Sequence, residues 1–198
     1  MNAASMTPVN MPFYGQIIVA CWVVFIGYWL VSALATKATT ERGSFVSMLW
    51  YRVPLAIGGI LIGKLRGWDN LMGLPLTPDS EATRYAGACV CVAGLAIAVW
   101  ARWTLGGNWS SGVTFKQDHQ LVTRGPYRFV RHPIYTGVLV MCSTQAIQFG
   151  RLHFWLGFLV IGIGLWIKLK QEETVMLGHF PEYSDYRKRV KALLPFVI

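Results

Sequence analysis

The chain has 198 residues, 54% hydrophobic and only 14% charged, with a mean hydropathy of +0.43. A soluble domain would carry about a quarter charged residues, so a water-soluble globule is excluded. The net charge of +9 would suit a nucleic-acid binder. The basic residues stand at the ends of long apolar runs, however, where lipid headgroups and the positive-inside rule account for them. No nucleic-acid partner is expected.

Residues 13–35 form a first apolar run, reaching roughly 34 Å at about 1.5 Å per residue. Its length and the lack of preceding positive charge distinguish it from a secretory leader. A polar connection over 37–42 follows. Residues 47–63 form a shorter span with Arg52 and Pro54 near its start, the proline being placed in a first turn. Residues 64–81, with Gly67, Gly73, Pro75 and Pro78, read as a loop. A third span covers 84–105, and 106–131 is too polar to cross.

Residues 133–149 and 153–169 are the fourth and fifth spans. Their connection is so short that they must form an antiparallel helical hairpin. Residues 171–198 are an amphipathic, basic tail, helix-like up to about Ala192. The expected fold is all-α: one integral membrane helical bundle with about five transmembrane helices. Three N-terminal spans (13–105) precede a cofactor-binding loop, the hairpin and a cytoplasmic C-terminal tail (106–198).

Five crossings place 37–42, 106–131 and the tail on one side. That side holds Lys37, Arg42, Lys116, Arg124, Arg128, Arg131, Arg187, Lys188, Arg189 and Lys191, against Lys64, Arg66 and Arg151 on the other. The richer side is expected to be cytoplasmic and the N-terminus outside. Cys21, Cys89, Cys91 and Cys142 all lie in apolar runs without metal-ligand spacing. They read as buried, inert thiols, and no metal site is expected.

The chemistry concentrates in Gly125-Pro-Tyr-Arg-Phe-Val-Arg-His-Pro-Ile-Tyr-Thr-Gly137 and in Lys168-Leu-Lys-Gln-Glu-Glu173. A helix starting at Pro133 offers unpaired N–H groups to an anion, and Arg128 and Arg131 add to that pull. Glu172 and Glu173, read as the end of the fifth span, oppose the helix dipole and call for a cation. A ligand carrying both charges meets both demands. S-adenosylmethionine does so, with its carboxylate, ammonium and sulfonium, and its ring suits Tyr127 or Tyr135. Other zwitterionic, nucleotide-like ligands meet much of the same description.

The blocks His119-Gln-Leu-Val-Thr-Arg-Gly-Pro-Tyr127, Arg131-His-Pro-Ile-Tyr-Thr-Gly137, Glu172-Glu173 and Glu182-Tyr-Ser-Asp-Tyr-Arg-Lys-Arg-Val190, with Pro195-Phe196, resemble the isoprenylcysteine carboxyl methyltransferase family. The resemblance covers roughly residues 119–196 and implies an integral membrane enzyme using S-adenosylmethionine. It implies cofactor contacts at His119, Gln120, Leu121, Val122, Tyr127, His132, Pro133, Ile134, Tyr135 and Glu172. The family's substrate-contacting Arg is matched by Lys168, which keeps the charge and loses the bidentate fork. Glu172 and Lys168 are the candidate catalytic residues, Lys168 also binding substrate. The implied acceptor is a lipophilic molecule or lipidated substrate entering from the bilayer.

Plainer roles are expected elsewhere. Glu173 reads as a solvated helix end pairing with Lys170 or Lys168. Tyr183 and Tyr186 read as headgroup anchors, residues 187–189 as topology signals, and His153 and His179 as boundary residues. Asn108-Trp-Ser110 is a chance glycosylation match. The alternatives are a sterol-type membrane reductase using NADPH and a non-catalytic lipid-binding membrane protein.

Overall fold

The computed structural model describes residues 11–42, 44–63, 74–77, 80–118 and 120–195. Apolar runs become helices α1 (Phe13–Ala33), α2 (Phe45–Ile62), α3 (Glu81–Leu105), α4 (Pro133–Phe149) and α5 (Leu152–His179). A short helix α6 (Tyr183–Arg189) and strands β1 (Thr39–Arg42) and β2 (Thr114–Lys116) complete the main elements. Serine side chains start two of the spans. Ser44 Oγ accepts from Ser47 N, and Ser80 Oγ accepts from Thr83 N, both at 3.1 Å. Each cap contributes about 1 kcal/mol.

Among the described residues α1, α2, α3 and α5 are long and apolar enough to cross a bilayer. The 17-residue α4 measures about 26 Å, and Met141, Thr144 and Ala146 in it are wholly buried. It packs against both α3 and its hairpin partner α5.

Two seams hold the bundle. A Cβ on Gly137 of α4 would meet Gly94 O and Ala98 N of α3 at 2.7 Å. A Cβ on Gly157 of α5 would stand 2.9 Å from Gly58 O of α2. Inside a bilayer, where water gives no hydrophobic drive between helices, such close backbone approach supplies the packing. Cys21, Cys91 and Cys142 lie buried, while Cys89 is exposed, unlike the uniform burial expected.

The expected hairpin is present, turning through Gly150 at φ +60°. Helix boundaries differ in two consequential places. Pro54 sits mid-helix, because the Ser44 cap starts α2 earlier than hydropathy alone indicated; it forgoes one i→i−4 hydrogen bond. Helix α5 does not stop near Leu169 but continues to His179. Apolarity ends at Lys168, yet Lys, Gln, Glu, Met and Leu are strong helix formers. At about 42 Å, α5 outruns the roughly 30 Å apolar core of a bilayer.

The polar segments sort to opposite ends. At one end β1 pairs antiparallel with β2, a small ribbon added to the all-helical plan. There too the tail bridges Val130 to Lys191 in parallel. At the other end Pro75 bridges Arg151, and Leu152 N donates to Leu74 O at 3.1 Å. This is the grouping expected from counting spans, although Lys64 and Arg66 lie outside the described residues.

Candidate active site

The protruding end of α5 supplies the acidic wall. Lys168, Glu172 and Met176 recur every four residues and so share one helix face. The first turn of α4 stands opposite. Tyr135 Oη donates to Glu172 Oε1 at 2.6 Å, and Lys168 Nζ lies 3.8 Å from the same oxygen. That ammonium also donates to Ser111 O at 2.9 Å and lies over the rings of Tyr51 and Tyr135, 5.6 and 5.3 Å from their centroids. The imidazole of His132 stacks on Tyr135 with rings 4° from parallel. Its Nδ1 is 3.7 Å from Glu172 Oε2, and its Nε2 is 3.5 Å from Glu173 Oε1.

Around this cluster lies a cavity of about 130 Å³, partly open to solvent. Leu121, Val122, Tyr127, His132, Ile134, Tyr135 and Glu172 line it, all expected from the sequence. Gln120 is exposed and off the wall. Pro133 is buried in the helix start behind the lining. Lys168 reaches the cluster from beside the cavity, and His119 lies outside the described residues.

The remaining wall escaped the sequence reading. Asn108, Trp109, Ser110, Gly112 and Thr114 cover the cavity from the segment after α3, and Tyr183 and Tyr186 close it from α6. Trp109, an aromatic in an otherwise polar loop, was the available signal. It stacks against Arg102, whose guanidinium lies 4.7 Å from the ring and donates to Ser32 O and Gly106 O at 2.6 and 2.7 Å. Met176 follows from the four-residue spacing once α5 is extended.

Glu173 departs most from expectation. It is buried at 2% exposure rather than solvated. Arg131 Nε and Nη2 both donate to its Oε1, at 2.8 and 2.5 Å, and Arg187 Nε lies 3.4 Å from its Oε2. Arg131 is therefore committed to Glu173 rather than to an anion in the cavity, and Arg187 is more than a topology signal. Neither acid sits at a helix end, so the helix-dipole argument for a cation fails at both. What remains is their direct pairing with cations.

Arg131 also donates to the carbonyls of Val190 and Arg187, while its backbone N and that of His132 donate to Lys191 O and Ala192 O. Thr136 Oγ1 donates to Leu193 O at 2.7 Å. The tail thus straps the start of α4. Tyr186 Oη donates to Tyr127 O at 2.5 Å. Burial pushes the phenols of Tyr127, Tyr183 and Tyr186 above their ordinary range. The two tail tyrosines are interior residues, not headgroup anchors. His153 is likewise buried, against Phe154, while His179 is exposed at the end of α5.

The isoprenylcysteine carboxyl methyltransferase family model matches residues 87–178. A protein-S-isoprenylcysteine O-methyltransferase from Dictyostelium discoideum is 33% identical over 163 residues, covering 78% of this chain and 67% of that protein. Relatives of the same name from Tribolium castaneum and Rattus norvegicus are each 32% identical, over 56% and 57% of this chain. Only 41% of either relative is covered, so the chain spans about two fifths of their length. The solved structure of a eukaryotic intramembrane Ras methyltransferase, itself an isoprenylcysteine carboxyl methyltransferase, shares the fold. Its TM-score is 0.52 at 20% identity, covering 93% of this chain and 74% of that one. Together these matches show that the chain belongs to the isoprenylcysteine carboxyl methyltransferase family.

Proposed function

We propose that this protein transfers a methyl group from S-adenosylmethionine to the carboxylate of a lipophilic acceptor at the membrane surface. The observation that carries this reading is the cavity closed by Tyr135 and Glu172 at the basic end of the bundle. Its wall also presents buried polar atoms without hydrogen-bond partners among the described residues: Asn108 Oδ1 and Thr114 Oγ1. Leaving such atoms unpaired is costly, and a ligand rich in polar groups satisfies them. Acidic, aromatic and apolar side chains in one wall fit the mixed chemistry of S-adenosylmethionine.

When bound, that cofactor supplies an activated methyl group on a sulfonium sulfur. Leu121, Val122, Tyr127, His132, Ile134 and Tyr135 would hold it, with Glu172 taking its cationic or hydroxyl groups. Lys168 would neutralise the acceptor's carboxylate. A carboxylate nucleophile has no proton to lose, so no side chain need serve as general base. The protein's work is alignment and exclusion of water, and the wall from 106–114 and α6 supplies the enclosure.

The relatives are named for isoprenylcysteine, which makes a prenylated cysteine the first acceptor to try. The concentration of Arg and Lys at the cavity end supports a cytoplasmic active site and an external N-terminus. Calorimetric titration of purified protein with S-adenosylhomocysteine and with NADPH tests the cofactor. Binding of S-adenosylhomocysteine is expected, and binding of NADPH in its place rejects the reading for a reductase. Labelled methyl transfer into a membrane lipid extract then identifies the acceptor.

A further inference from the structure

Tyr51, on α2, lies outside the stretch matched by the family model. It is 2% exposed, and its hydroxyl has no hydrogen-bond partner among the described residues. That hydroxyl would stand 3.8 Å from a Cβ placed on Gly112, so it abuts a residue of the cavity wall. The ammonium of Lys168 lies over the Tyr51 ring.

Burying a hydroxyl without a partner costs stability and contributes nothing to the bundle's own packing. Lys168 has three N–H donors. One is spent on Ser111 O, and a second faces Glu172, whose Oε1 also accepts from Tyr135. The same ammonium lies over the rings of Tyr51 and Tyr135, and the Tyr51 hydroxyl beside it keeps a proton without an acceptor among the described residues. A phenol and the ammonium over its ring, one neutral donor and one charged, suit an oxygen anion with two acceptor oxygens.

We propose that Tyr51 is a specificity-determining residue whose hydroxyl joins Lys168 in holding the acceptor's carboxylate. This deepens the methyltransferase reading and rests on it. The subsite favours an acid over the amide of the same shape, since the amide lacks the charge and replaces one acceptor by a donor. It also compensates for Lys168, because a point-like ammonium fixes a carboxylate less firmly than a guanidinium fork and a second donor restores the orientation.

The test uses the full chain in detergent, with N-acetyl-S-farnesylcysteine as acceptor and its carboxamide as competitor. Tyr51→Phe is expected to raise the acceptor KM roughly tenfold or more and to erode the preference for acid over amide. It should leave S-adenosylhomocysteine affinity unchanged and the unliganded melting temperature unchanged or higher. A merely structural hydroxyl would instead lower the melting temperature and spare the preference, which overturns the proposal. A wild-type preference that persists intact in Tyr51→Phe overturns the subsite alone. Wild-type protein that binds S-adenosylhomocysteine but shows no preference for acid over amide sinks the carboxyl-acceptor reading, and the subsite with it.

Discussion

Tyr135 Oη and Glu172 Oε1 meet at 2.6 Å across 37 residues of chain, tying the first turn of α4 to the protruding end of α5. The hairpin brings the two helices together at its turn, and this bond joins them again at the open end. It also uses one oxygen of Glu172 and leaves the other facing His132 Nδ1 at 3.7 Å. The acid is thus held in place while keeping capacity for a ligand.

Glu172→Ala and His132→Ala should each abolish measurable S-adenosylhomocysteine binding while the protein still inserts into membranes. Calorimetry on detergent-purified variants measures the first, and carbonate-resistant membrane association the second. Unchanged affinity in both variants removes these residues from the cofactor site.

Glu173→Gln should act differently. It leaves Arg131 buried beside a neutral amide, and breaking a buried ion pair costs about 3–5 kcal/mol. The melting temperature should fall, and residues 183–193 should become the preferred site of limited proteolysis. Arg187→Ala, at a half-exposed position, should cost far less. Equal losses for the two variants would contradict a buried Arg131–Glu173 pair as the anchor of the tail.

Gly137→Ala places a methyl group against the backbone of α3 at 2.7 Å, where neither partner can rotate away. Overpacking of this kind costs about 1–3 kcal/mol. Gly27, with nothing within 4 Å of its Cβ position, is the control. Gly27→Ala should melt like wild type and Gly137→Ala well below it, as followed by thermal unfolding in one detergent.

The raised phenols of Tyr127, Tyr183 and Tyr186 set an alkaline limit. In the unfolded chain they ionise near about 10, and in the fold at higher pH, so the native state holds the proton more tightly. Their contribution is complete below about pH 10 and declines as pH climbs towards the folded values. The melting temperature should therefore drop above about pH 10, and the drop should shrink in a Tyr183→Phe, Tyr186→Phe double variant. A flat profile from pH 9 to 12 would falsify this account.

Much of the fold was legible because apolar run length directly determines a membrane helix. The hairpin and the sorting of polar segments to two ends followed from span order and connection length. The extension of α5 was hidden because hydropathy ends at Lys168 whereas helix propensity does not. Glu173 was misread for the same reason: a residue placed at a helix terminus looks solvated, and only the fold shows Arg131 and Arg187 converging on it. Tyr127, Tyr135, His132 and Glu172, which line the cavity, stood out in the sequence because they sit in ordered motifs. Trp109, Tyr183 and Tyr186 carry no local signature of an inward orientation, and Tyr51 is distant in sequence from every motif.

The strap formed by residues 190–193 along the start of α4 ties completion of the pocket to the order of synthesis. Helices α1 to α5 leave the ribosome before α6 and the strap. A nascent chain halted just after α5 therefore has its membrane bundle without the wall that Tyr183 and Tyr186 provide. Assembly of the membrane bundle and completion of the cavity wall are therefore separate steps, and the second needs the chain up to Leu193.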